Sequence, residues 1–134
     1  MKEQWKNYVE EKIPFDNYEV SEVVQNAEGT KIVLWGSVNI LTVKFVWTDS
    51  LRITDEGRRI RTYHEVKEIQ EYRKNFYGNP LYVVENSEFV EWIKLEMDGF
   101  YMNKVHYVLM TLNDIVDVLA TDSPEITIEK IEQS

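Results

Sequence analysis

The segment HYVLMTLNDIVDVLATDSPEITI, residues 106–128, alternates apolar and polar side chains, breaks at Asn113-Asp114, alternates again, breaks at Ser123-Pro124 and resumes. Alternation with period two belongs to half-buried strands, and the two breaks carry turn residues. The segment therefore predicts three strands in an antiparallel meander. Two of its residues carry chemistry, His106 and Asp117. His106 shares a face with Val108 and Met110, which points to a hydrogen-bonded, partly buried histidine. Asp117 admits two placements. With Ile115 and Leu119 turned inward it is partly buried and needs a donor, which His106 or Arg52 can supply. With Val116, Val118 and Ala120 turned inward it is merely solvated, and this second placement is the expectation.

Outward from this segment the pattern changes several times. Residues 2–12 place Trp5, Tyr8 and Val9 at helical spacing with Ile13, and Pro14 stops the run. YEVSEVVQNAEGTKIVLWG, residues 18–36, reads as a hairpin turning at Glu28-Gly29. In SVNILTVKFVWTD, residues 37–49, Leu41, Val43, Phe45 and Trp47 fall on one strand face, with Thr42, Lys44 and Thr48 on the other. LRIT, residues 51–54, is a fourth short strand. TYHEVKEIQEYRK, residues 62–74, is helical through Tyr63, Val66, Ile69 and Tyr72, and Gly78-Asn79-Pro80 terminates it. LYVVE, residues 81–85, is a strand. Ser87 then caps a helix whose apolar face carries Phe89, Trp92, Ile93 and Met97, ending at Asp98-Gly99. The order is that of one α+β domain over residues 1–134, mostly antiparallel, with about three helices, a hairpin and a C-terminal meander.

Composition narrows the function. The chain has 134 residues, 43% hydrophobic, enough for a core of its own. It has no cysteine, so thiolate metal sites, cysteine nucleophiles and disulfides are excluded. The polar N-terminus lacks the apolar stretch of a secretory signal, and no apolar run approaches the ~18 residues of a membrane span, so a cytoplasmic protein without membrane contact is expected. The net charge is −9. Such a surface repels phosphate backbones, which argues against nucleic acid and for a protein partner with a basic face.

Charge is unevenly spread. Residues 87–134 hold ten acids and three bases, net −7, whereas residues 30–61 hold three acids and six bases, net +3. Glu88, Glu91, Asp98, Asp114 and Asp122 sit at predicted helix faces and turns, where a partner could reach them. Arg52, Arg58, Arg59 and Arg61 flank a turn and suit an anion or a partner's carboxylate, although charge protecting a strand edge is the simpler account. Trp35, Tyr77, Phe100 and Tyr101 lie near turns and would serve as interface anchors if exposed.

Motifs for chemistry are missing. His64 and His106 are the only histidines and form no metal-binding spacing. There is no GxSxG elbow and no glycine-rich phosphate loop. No catalytic residue, metal or cofactor is expected.

SLRITDEGRRIR, NPLYVVENSEFVEWI and HYVLMTLNDIVDVLATDSPEI together resemble a family of short, acidic, largely uncharacterised bacterial proteins, over about residues 30–128. Similar proteins occur near polymorphic-toxin loci, where immunity proteins are commonly small and acidic. The resemblance implies an immunity-type inhibitor and carries over no functional residue. A non-enzymatic module that binds a basic protein partner is the leading expectation. The alternatives are a small-ligand module with an aromatic and arginine-lined pocket, or a hydrolase-like enzyme using His106 with a nearby carboxylate. Oligomeric state is left open.

Overall fold

Two antiparallel sheets and three α-helices form the computed structural model, which describes residues 2–75, 77–98, 100 and 103–132, apart from the side chains of Arg73 and Asn75. The strands are β1 (Gln4–Asn7), β2 (Glu19–Asn26), β3 (Gly29–Trp35), β4 (Asn39–Phe45), β5 (Ser50–Asp55), β6 (Leu81–Glu85), β7 (Val105–Met110), β8 (Asp114–Ala120) and β9 (Glu125–Lys130). The helices are α1 (Ile60–Glu65), α2 (Lys67–Asn75) and α3 (Glu88–Glu96). One sheet runs β1-β6-β7-β8-β5 and the other β2-β3-β4-β9. The α+β expectation holds, with every paired strand antiparallel.

The layers follow from which face each strand buries. Ile32 and Leu34 of β3 and Leu41, Val43 and Phe45 of β4 meet Leu81, Tyr107, Leu109, Val116, Val118 and Ala120 of the larger sheet in one core. The opposite face of the larger sheet is covered as well. There Trp5, Tyr82, Val84, Val108, Met110 and Ile115 pack with Val66, Ile69 and Tyr72 from the α1–α2 segment. The larger sheet is thus the middle layer, with the smaller sheet beneath it and helices above.

Several expectations change on this framework. Residues 2–12 are not helical: β1 pairs with β6, placing Trp5 against the helices and Tyr8 in the core between the sheets. Residues three apart on opposite sides are what an extended chain gives and a helix does not. The C-terminal segment is not a three-strand meander. β7 and β8 form a hairpin, but β9 crosses to the smaller sheet and pairs with β4. The helix expected over 62–74 begins earlier and is two, because Val66 is extended (φ −103, ψ 107). Its buried positions, Val66, Ile69 and Tyr72, are those the spacing gave.

Trp47 lies beyond the end of β4 and is exposed rather than on the core face, while Thr48 is buried beside Thr30. The hairpin glycine is required: Gly29 has φ +120, and a Cβ there would lie 2.2 Å from the Phe45 carbonyl oxygen. The β3–β4 turn is held by a residue not singled out from sequence. The buried carboxylate of Asp16 accepts the backbone N–H groups of Ser37, Val38 and Asn39, and Gly36 leaves room for it.

Ser87 caps α3 as expected, its Oγ accepting the Val90 N–H at 3.0 Å. The helix ends at Glu96, with Met97 as its C-cap and Asp98 at φ 47; Gly99 lies outside the described residues. The expected apolar face is only partly right. Phe89 is buried, but Trp92 is 46% exposed and Ile93 half-buried. Phe89 is therefore the residue that fastens α3 to the sheet. Phe89→Ala should cost about 3–5 kcal/mol in chemical denaturation, as large buried truncations do. Trp92→Ala should cost about 1 kcal/mol, an ordinary value for a partly exposed site. The reverse order would show that α3 is rotated from this placement.

Candidate functional site

The middle strands of the larger sheet carry one strongly polar cluster into the helix-side layer. On β8, Asp117 shares the face of Ile115 and Leu119, so the solvated placement is overturned: Asp117 has no exposed surface. The alternate residues Val116, Val118 and Ala120 are buried too, against the smaller sheet. Asp117 pairs in register with Arg52 on β5 and with Val108 on β7, which brings His106 within reach on the same face.

The bonds form a chain. His106 Nε2 lies 2.7 Å from Asp117 Oδ1, and its Nδ1 lies 2.7 Å from Ser87 Oγ. Ser87 Oγ already accepts the Val90 N–H, so its own proton is free to go to His106 Nδ1, leaving Nε2–H to donate to Asp117. The second carboxylate oxygen accepts Arg59 Nη1 at 2.7 Å and Arg52 Nε at 3.1 Å. Burial opposes ionisation of Asp117. The His106 hydrogen bond and the charges of Arg59 and Arg52 outweigh it and hold the carboxyl well below the usual carboxylate range.

Above this chain is a pocket of about 500 Å³ lined by Ser50, Arg52, Arg59, Arg61, Thr62, Phe89 and Trp92, with Glu3 and Glu88. The Arg52 guanidinium carbon lies over Phe89, 4.3 Å from the ring centroid, and Trp92 stacks on Phe89 at 5.6 Å and 19°. A guanidinium and an indole thus both pack on Phe89 in the lining of one pocket. Arg59 gives Nε to Thr62 Oγ1 and Nη1 to Asp117. Among the described residues, the Nη groups of Arg52 and Nη2 of Arg59 have no hydrogen-bond acceptor. Outside them, Arg61 grips Glu88 with both Nη nitrogens, and Glu3 accepts the Glu88 N–H at the start of α3.

The site residues expected from sequence divide cleanly. Arg52, Arg59 and Arg61 converge on the pocket. Arg58 is exposed, at the end of a short 3-10 helix, and does not line it. Glu88 and Glu91 are exposed on α3, paired with Arg61 and Lys94, and Asp98 is exposed just beyond it. Asp114 and Asp122 bracket β8 from opposite ends, roughly 25 Å apart at strand rise. The five acids therefore do not share one patch. Trp35, Tyr77 and Phe100 are exposed, and Tyr101 lies outside the described residues.

Ser87, His106 and Asp117 have the composition of a hydrolase triad, and Ser87 and His106 border a second cavity of about 400 Å³. His106 is fully buried under the edge of Phe89, and the Ser87 hydroxyl serves as the α3 cap. Among the described residues, no three His, Cys, Asp or Glu side chains converge as a metal site. No helix there is long and apolar enough to cross a membrane. Comparison with protein-family models, curated proteins and solved structures finds no match to this chain.

Removing the carboxylate charge tests the network. Asp117→Asn leaves two arginines packed without their counter-ion and should cost about 3–5 kcal/mol. Because the folded pKa is depressed below the ordinary 3.8, Asp117 contributes its full stabilisation above that pH and loses it as pH falls through the folded value. Wild type should therefore lose stability on acidification more steeply than Asp117→Asn. Equal stability of the two proteins at pH 7 would contradict the network's role.

Proposed function

We propose that this protein is a non-enzymatic cytoplasmic binding module that holds a small anion in the pocket between α1 and α3. The observation that carries this reading is the pair Arg52 and Arg59. Both are oriented by one buried carboxylate, both line the pocket, and both keep N–H donors with no acceptor among the described residues. Two guanidinium groups share a single negative charge, which leaves the inner wall positive in a chain of net charge −9. Guanidinium donors fixed in a partly dry site suit a carboxylate or phosphate oxygen. The volume falls in the range of small-molecule sites.

A second reading, the immunity-type inhibitor of a basic protein, draws on one feature. α3 presents Glu91 and Glu96 beside Leu95, which is 81% exposed. Neither Glu91 nor Leu95 lines the pocket, so the two readings concern different surfaces.

Inorganic phosphate is the simplest probe of the first reading. Calorimetric titration at low salt should show saturable binding. Arg52→Gln should weaken it at least tenfold, and Arg58→Gln, outside the pocket, should leave it unchanged. Absence of binding, or equal losses in both variants, would overturn the reading.

A further inference from the structure

We propose that the anion taken by this pocket is carried on a flat aromatic ring, and that Trp92 is the surface on which the ring stacks; this rests on the anion-binding reading above. The argument starts from an anomaly on α3. Trp92 lines the pocket yet is 46% exposed. Phe89 packs near-parallel to the indole with the ring centres 5.6 Å apart, which leaves much of the indole uncovered. An indole left open beside unoccupied guanidinium donors offers two kinds of recognition within one site. The arginines take charge, and the indole takes a π surface.

The stack also fixes the indole in place. Arg52 packs on Phe89, Phe89 packs edge-on against His106 and face-on against Trp92, and the arginine is tied to Asp117. The ring-binding surface and the anion-binding group are thus both held by Phe89 in the lining of one pocket, and surfaces fixed before binding keep its ordering cost low.

The rim limits the charge of the ligand. Glu3 and Glu88 both line the pocket, and Glu88 already occupies Arg61. A polyanion such as a triphosphate or a nucleic-acid backbone would meet these carboxylates, so the fit is to a mono- or dianion. An aryl carboxylate and a nucleoside monophosphate share this chemistry: one anionic group on a planar ring.

Matched pairs of probes separate the ring from the anion. Benzoate is compared with acetate, and adenosine 5′-monophosphate with inorganic phosphate, by calorimetry on wild type, Trp92→Ala and Trp92→Phe. Wild type should bind at least one aromatic member tenfold or more tighter than its partner. The pair that shows the advantage identifies the carboxylate or the phosphate as the anionic group. The advantage should fall below threefold in Trp92→Ala and return in Trp92→Phe, which restores a flat ring. Equal affinities within both pairs in wild type, or an advantage that survives Trp92→Ala, would overturn the role of the ring while leaving anion binding intact. Failure of all four probes to bind would overturn both.

Discussion

A carboxylate with no exposed surface stays ionised only if donors and positive charge surround it, and Asp117 on the inner strand β8 of the larger sheet meets that demand with three partners. Each partner comes from a different part of the chain. Arg52 lies on β5, Arg59 just before α1, and His106 on β7. His106 in turn reaches Ser87, which starts α3. One buried charge therefore sets the position of the edge strand β5 and of the starts of two helices. The pocket lies where these elements meet, and its two inner arginines take their orientation from that charge.

The same constraint weakens the case for hydrolysis in this cluster. A nucleophile needs an accessible hydroxyl and a base that can accept its proton beside a substrate. Here Ser87 is buried and its Oγ accepts the Val90 N–H, and His106 has no exposed surface, although both residues border a second cavity of about 400 Å³.

Much of the architecture was legible in the sequence. The hairpin around Gly29, the cap at Ser87 and the buried side of the α1–α2 segment all follow local rules, and local rules hold where one face of an element meets solvent. They failed in the middle layer. β7 and β8 are buried on both faces, so alternation could not say which side of Asp117 was inside. Both answers about its neighbours were true, and the polar residue was buried regardless. The departure of β9 to the other sheet and the pairing of β1 with β6 depend on long-range partners that no local pattern encodes. The contact of Arg59 with Asp117 spans 58 positions. The arginine-rich stretch was visible as an oddity, but its division into pocket residues and exposed Arg58 required the short turn between β5 and α1.

The most direct test of the account is arginine-detected ¹⁵N NMR during an anion titration, because it reads the guanidinium groups themselves. The account predicts that the side-chain resonances of Arg52 and Arg59 shift saturably on a common binding curve while those of Arg58 stay still. Shifts of equal size at all three, growing linearly with added anion, would mean that the anion only screens surface charge, and would contradict a built anion site.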